Sequence, residues 1–399
     1  MQLKKLTAAL AFTGLALSGS AFATNGMVLE GYGPISLGMG GAATAYDNGT
    51  AAMMNNPATL ALGGQGSRFD FALGTIGPRV NTNALGSSDA GQFAMPAFGY
   101  TNTSGNLTYG IGMFAQGGMG TDYDPAPAFA EVSVGRVILP LAYSMGNLTI
   151  GGSIDYVFAA MDLVYDMTGD GDALDPADIN FKDNTKYSGK TKANGFAGKL
   201  GLTYKVSDQV TLGATYQTKA NLSDLKGGGY KMTGFDMPAI AAIGVAFKPS
   251  DKMMIAVDVK DVMWDDVMDM PVVYKNGVDI TGNGFTQKWD DQTVIAIGLS
   301  YKINDDLTGR IGVNLADNPI PNQYVNPLWP AIVENHYTAG IGYTVSKASS
   351  FDFAVSYAPE VKVTGTRTAG TLSGMDPGNA GLEIRHSQLN WQLMYTHKF

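Results

Sequence analysis

Every second connection between the strand-like runs of this chain is short. Alternating apolar and polar side chains, with turn residues between them, place about fourteen runs. They lie at 66–80, 91–103, 107–116, 131–145, 148–166, 190–205, 209–220, 235–248, 252–268, 286–302, 307–316, 335–346, 350–364 and 382–399. The short links are 101–106, Gly146-Asn147, Val206-Ser207-Asp208, Pro249-Ser250-Asp251, Ile303 to Asp306 and Ser346 to Ser349. Between them come long ones, 81–90, 117–130, 167–189, 221–234, 269–285, 317–334 and 365–381. Short turns at one end and long loops at the other are the layout of an outer-membrane barrel. A soluble sandwich has no reason to sort its loops by end. Many runs reach ten or more residues, longer than the ~5–6 of soluble sheets and enough for a tilted membrane strand. The predicted fold is therefore all-β, a transmembrane antiparallel barrel over 65–399.

Composition agrees. Only 15% of the 399 residues are charged, as expected where a charge at mid-bilayer on the lipid face costs ~2–4 kcal/mol. In the last run Leu389, Trp391, Leu393, Tyr395, His397 and Phe399 share one face, with Asn390, Gln392, Thr396 and Lys398 on the other. With 45% hydrophobic residues the chain is not disordered, and with no Cys it has neither disulfides nor thiolate chemistry. A net charge of −9 offers no basic footprint for nucleic acid.

The first 23 residues read as a signal peptide for Sec export. Lys4 and Lys5 precede an apolar run from Leu6 to Leu17, and Ala21-Phe22-Ala23 supplies small-x-small cleavage. The alternative, a membrane anchor, needs a longer run. No other stretch approaches ~18 apolar residues; Pro238 to Phe247 covers ten.

Residues 24–64 do not alternate. They carry Thr24-Asn25-Gly26, Gly31-Tyr32-Gly33-Pro34, Gly38-Met39-Gly40-Gly41-Ala42, Asp47 and Asn56-Pro57-Ala58, small residues that can pack inside something else. Further along come Tyr109-Gly110-Ile111-Gly112, then Gly117 to Tyr123, Trp264, Arg310-Ile311-Gly312, Asp317-Asn318-Pro319-Ile320-Pro321, Pro330-Ala331-Ile332 and Gly340-Ile341-Gly342-Tyr343. In this content and order the chain resembles the FadL family of outer-membrane transporters for long-chain fatty acids and hydrocarbons (the OmpP1/FadL/TodX type), over nearly all of its mature length. The resemblance implies an N-terminal hatch, residues 24–64, plugging a fourteen-stranded barrel in the Gram-negative outer membrane. It also implies passive uptake without a cofactor: capture by loops, binding in the lumen, movement of the hatch, and sideways exit through a kink in the third strand. The terminal Phe399 looks like the signal read by the barrel-assembly machinery. The expected partners are a hydrophobic small molecule and outer-membrane lipid and lipopolysaccharide, and the expected state is a monomer.

Candidate residues follow. Hatch residues are Thr24, Asn25, Gly26, Asn56, Pro57 and Ala58; Gly110, Gly112, Gly117, Gly118 and Gly120 would give the third strand and its exit a permissive backbone. Arg136, Phe158, Met161, Trp264 and Trp329 are candidates for ligand contact. A fatty acid asks for a cation in an apolar tunnel, yet Ile154 to Met161 carries no base and the tenth run begins Lys288-Trp289-Asp290-Asp291. Arg136 has the parity of a lumen residue; it could meet a carboxylate or pair with Asp155. This favours an aromatic or alkane hydrocarbon as the alternative cargo. Methionines at 27, 39, 53, 54, 113, 119 and 161 could line an adaptable surface or merely fill gaps. Loop 317–334, with Ile320, Tyr324, Val325, Leu328 and Trp329, could capture ligand or pack on its neighbours.

Other classes are weaker. Asp162, Asp166, Asp170, Asp172, Asp175, Asp178 and Asp183 lack EF-hand spacing and read as a solvated loop, with calcium or divalent bridging as the alternative. Neither H-E-x-x-H nor G-x-S-x-G occurs, and adjacent His386 and Ser387 point to opposite faces of a strand. A phospholipase-like barrel enzyme stays as the alternative from another class. A polar porin needs opposed charged rows and no plug.

Overall fold

Alternation decides which way each side chain of a strand points, and here it builds a wall with a greasy outside. The structure, a computed structural model, describes residues 25–166, 171, 173, 178–181, 188–268, 271–281, 286–370 and 378–399. The expected signal peptide, residues 1–23, and Thr24 lie outside them, as do Asp170, Asp172, Asp175 and Asp183.

Fourteen antiparallel strands make the wall. They are β1 Gly66–Ile76, β2 Phe93–Ser104, β3 Leu107–Asp122, β4 Ala128–Met145, β5 Leu148–Tyr165, β6 Thr191–Lys205, β7 Val210–Gln217, β8 Ala239–Ser250, β9 Met253–Met263, β10 Gln292–Lys302, β11 Leu307–Ala316, β12 His336–Thr344, β13 Ser349–Thr364 and β14 Glu383–Lys398. Each pairs with its neighbour in sequence. The barrel closes where β1 pairs with β14, from Arg68 opposite Lys398 to Thr75 opposite Trp391. Closure leaves the sheet no free first or last strand, which is what lets it stand in hydrocarbon.

One expected long loop is short. The 117–130 link shrinks to 123–127, because β3 runs on to Asp122 and β4 begins at Ala128. Gly117, Gly118 and Gly120 have poor strand propensity, but β4 supplies their ladder: Gly117 faces Val134, Gly118 Ser133 and Gly120 Glu131.

The outward face carries two aromatic girdles. Tyr109, Tyr143, Tyr204, Tyr301 and Tyr343 ring the short-turn end; Tyr156, Phe196, Tyr216, Tyr337 and Tyr357 ring the long-loop end. Between them lie exposed aliphatics such as Ile111, Leu139, Ile154, Leu200 and Ile243. An apolar band between aromatic girdles is the signature of a bilayer-spanning barrel. No helix among the described residues is long and apolar enough to cross a membrane.

Inside sits the N-terminal segment. Asn25 to Gly64 folds through two short helices, α1 Pro34–Leu37 and α2 Ala52–Asn55, and a 3-10 turn Pro57–Gly63. Asn56 caps that turn by accepting from the Ala58 N–H (3.1 Å).

Candidate functional site

The hatch is fitted to the wall by backbone. A Cβ at Gly201 would stand 1.9 Å from Asn56 Oδ1, one at Gly213 2.0 Å from the Thr44 carbonyl, and one at Gly312 2.2 Å from the Gly40 nitrogen. Glycine on the inward face thus lets the wall's main chain touch the hatch's main chain at Thr44 and Gly40 and the Asn56 side chain. Side chains of the wall then bind the hatch's free polar groups. Asp258 on β9 accepts from Ala43 N (2.7 Å), Thr44 N (2.9 Å) and Thr44 Oγ1 (2.6 Å). Thr338 Oγ1 accepts from Gly40 N, and Asn314 Nδ2 donates to Gly40 O, both at 3.0 Å. Asn56 Nδ2 donates to Thr44 O (2.7 Å) and Leu202 O (3.2 Å), so the Asn-Pro-Ala motif ties the hatch to itself and to β6.

Two lumen cations were not legible in the sequence. Lys199 on β6 and Lys260 on β9 point inward; Lys199 Nζ donates to Met53 O (3.0 Å) and Met54 O, and Lys260 Nζ to Gly41 O (2.6 Å). The absence of a base from 154–161 stands, but β6 and β9 each bring one to the lumen. A cavity of about 50 Å³ lies between them, with Asn25, Asp258 and Gln217 on its lining.

Above the hatch the lumen turns apolar. Met27, Met119, Met161, Leu163 and Phe181 cluster with Trp264, Trp289 and Trp329, all buried. Trp264 and Trp289 pack edge to face at 5.1 Å. Gly26 lies against the Trp264 ring; its φ of +64° and a would-be Cβ 2.6 Å from the indole leave room for no side chain. The long connection 317–335 covers this chamber and brings Leu328, Trp329 and Ile332 into it. Tyr123 Oη donates to Pro327 O (2.8 Å) and Thr121 Oγ1 to Leu328 O (3.2 Å), which pins the loop to β3. His386 bonds to Pro330 O through Nδ1 (2.7 Å). At the ends of this loop, burial and then the neighbouring Asp317 raise the Glu334 pKa from its ordinary value.

The wall loses its pairing between β2 and β3 over one stretch. Pairing between β2 and β3 ends at Ala97 opposite Phe114. Pro96 comes next on β2, and a proline has no N–H to give a ladder. On β3 a bulge at Gln116 shifts the register against β4 between Ala115 and Gly117. Beyond it β3 has no β2 partner. The hatch supplies one instead: Val28 forms an antiparallel bridge with Gly117, and Gly118 N donates to Met27 O (3.1 Å). Tyr32 of the hatch donates to the Gln116 carbonyl (2.7 Å). Arg136 holds the same residue from the wall, its Nε donating to Gln116 Oε1 (2.7 Å) and its Nη1 to Asp155 (2.9 Å). Of the two roles open to Arg136, pairing with Asp155 is the one seen.

The candidate residues therefore separate. Gly117, Gly118 and Gly120 belong to the stretch of β3 without a β2 partner. Gly110 and Gly112 pair with Thr101 and Gly99 of β2 below the bulge, although the β4 ladder passes from Tyr109 to Gly112 without Gly110, and a Cβ at either would meet Met53 of the hatch (3.2 and 2.8 Å), so they belong to its seat. Met161, Trp264 and Trp329 lie in the chamber. Phe158 does not share the face of Met161. It leans over Gly135 on the outside of the barrel and lines a cavity of about 380 Å³ at the gap, with Pro96, Ala115, Gly117, Tyr156 and Lys192. Trp289, Pro96 and Gln116 join the site without having been singled out; the proline inside a strand was the available signal. Asp162 of the acidic loop is taken up by Ser188 to Lys190, which donate main-chain N–H groups to it. Among the described residues no cluster of acidic and histidine ligands could hold a metal.

A family model described as outer membrane protein transport protein (OMPP1/FadL/TodX) matches residues 11–387. The toluene transporter TodX of Pseudomonas putida is 28% identical, with a TM-score of 0.78 over 93% of this chain and 99% of that one. The toluene transporter TbuX of Ralstonia pickettii is 27% identical, with a TM-score of 0.74 over 93% and 99%. A Pseudomonas aeruginosa FadL homologue shares the fold at 16% identity, with a TM-score of 0.75 over 94% and 100%. A Chlorobium limicola protein from the 5′ region of a phosphoenolpyruvate carboxykinase gene is 49% identical over 70 residues, 17% of this chain; the match spans 34% of that relative.

Proposed function

The chain belongs to the OMPP1/FadL/TodX family of outer-membrane transport proteins, and from that premise we propose that it passes uncharged hydrophobic small molecules, single-ring hydrocarbons foremost, sideways into the outer membrane. Its similar structures are transport channels and not enzymes. The observation that carries the proposal is the stretch of β3 whose missing β2 partner is replaced by the hatch N-terminus. Drawing Met27 and Val28 away joins the apolar chamber to the gap.

The route follows from the solvent properties of each station. A greasy molecule gains about 0.8 kcal/mol per buried methylene on leaving water, so the Trp- and Met-lined chamber concentrates it. Loop 317–335 offers the first apolar contact. Release through the side keeps the cargo out of water, and diffusion down its gradient needs no energy source.

Cargo class turns on charge. Arg136 is committed to Asp155, while Lys199 and Lys260 are bonded to hatch carbonyls. No described cation faces the apolar chamber with its charge uncommitted, and the toluene transporters above are the relatives at 27–28% identity. Long-chain fatty acid is the second reading. It is favoured by Lys199 and Lys260 together, because hatch movement that strips their carbonyl partners would leave two cations for a carboxylate.

Uptake of toluene and of oleate into outer-membrane vesicles, with and without the protein, tests the proposal. Acceleration of toluene supports the first reading, and of oleate alone the second. Acceleration of neither, or equal acceleration of a polar sugar, would discard both.

A further inference from the structure

The 380 Å³ cavity at the gap opens on the outer surface. Tyr156, Phe158 and Ala160 share the outward face of β5, whereas Val157, Ala159 and Met161 between them are buried in the lumen. On β6, Phe196, Asn194 and Lys192 likewise point out, in that order toward the long-loop end. Phe196 packs edge to face on Tyr156 at 5.5 Å, in the upper girdle. Lys192 therefore stands four residues beyond the girdle, roughly 13 Å along the strand at about 3.3 Å per residue, at headgroup depth.

Lys192 is not alone. It pairs directly with Lys226 in a short strand Leu225–Gly227, and Lys226 with Lys231 in the next, Tyr230–Thr233. Residues opposite one another in a ladder point to the same side. The neighbouring row, Leu225, Met232 and Val273, is buried inward, so the lysines form a row on the outside. Beyond them Lys231 Nζ lies 4.2 Å above the Tyr274 ring. Asp224, 3.4 Å from Lys226, is the one carboxylate bonded to the three among the described residues. Like charges directly opposite in a ladder repel, and here they do so in a chain with 35 acidic and 26 basic residues. An anion lying across the row removes the repulsion.

We propose that this face binds a phosphate-bearing lipid of the outer leaflet, its phosphate on Lys192, Lys226 and Lys231 and one acyl chain in the cavity. Charge and cavity are continuous, because Lys192 lines the cavity and stands opposite Ala160 in the ladder. A pocket that opens onto hydrocarbon and is walled by Pro96, Ala115 and Phe158 suits an acyl chain, and ammonium groups at headgroup depth suit its phosphate. The site depends on the barrel standing in the outer membrane, not on which cargo it carries. Its consequence is that lipid occupies the exit until cargo displaces it.

The test uses the full mature protein purified in mild detergent, with native mass spectrometry of bound diphosphoryl lipid A. The wild type is expected to hold one lipid per barrel, with affinity falling as salt rises. Exchanging Lys192, Lys226 and Lys231 for Gln should weaken binding about fivefold per lysine, the scale of one basic residue near an anionic surface, and flatten the salt dependence. Ala160→Phe, which fills the cavity, should weaken binding but keep the salt dependence. All variants must show wild-type heat-modifiable migration. Equal binding of lipid A stripped of its phosphates, or equal binding by the triple variant, would overturn the proposal, and so would retention of lipid A by Ala160→Phe at wild-type affinity. The assay contains no cargo, so its failure leaves the channel reading to the vesicle uptake experiment.

Discussion

The two parts of the hatch are attached very differently. From Gly38 to Gly63 its backbone is bonded by Asp258, Thr338, Asn314, Lys199 and Lys260, and its main chain abuts inward glycines. From Asn25 to Gly31 the side-chain ties are sparser: beside the turn between Asn25 and Val28 and the bridge to Gly117 and Gly118 on β3, single bonds run from Asn390 to Glu30 and from Gln392 to Gly31. Local opening starts where the fewest bonds must break. The contrast divides the plug into a firmly bonded seat and a more lightly bonded finger, and it is the finger that bridges the unpaired stretch of β3.

The largest break in that comparison is removal of both parts. Deleting residues 24–64 should abolish selective hydrophobic uptake while the barrel still assembles, and open a leak for small polar solutes, read by vesicle swelling. Next is the seat alone. Asp258→Ala strands the Ala43 and Thr44 N–H groups and should destabilise the hatch by about 3 kcal/mol, seen as faster hydrogen exchange from 38–63. Gly201→Ala places a methyl on Asn56 and should cost about 1–3 kcal/mol, with exchange rising around 56–59 first. Smallest is the finger alone. Tyr32→Phe removes the bond to the Gln116 carbonyl, worth about 1 kcal/mol; exchange should rise at 25–31 only, and toluene uptake should quicken. If Tyr32→Phe and Asp258→Ala loosen the same residues equally, the hatch moves as one body and the distinction fails.

The wall was legible because two solvents wrote it. Lipid outside and hatch or lumen inside force a period of two, so Leu389, Trp391 and Leu393 announce their face without knowledge of any partner. The end of β3 was misread for the opposite reason. Gln116 to Gly120 is glycine-rich and buried on both faces, and only its pairing with β4 makes it a strand. Lys199 and Lys260 escaped notice because an isolated lysine in a strand does not show what it binds; their partners, Met53, Met54 and Gly41, lie more than a hundred residues away. Phe158 shows the limit of residue type. An aromatic suits a lumen as well as a lipid face, and only its parity with Tyr156 places it outside.

One feature of the closed ladder reaches back to how the molecule is made. Arg68 to Thr75 zips against the last strand, Phe399 N donates to Ser67 O (2.9 Å), and the seam sits just after the hatch in sequence. The inner glycines already grip Thr44 and Asn56 from several sides. A finished tube is too tightly fitted for a folded stopper to be pushed in afterwards. Such a fit favours a biogenesis that wraps the staves around their bung, with the first and last staves joined when the bung is in place.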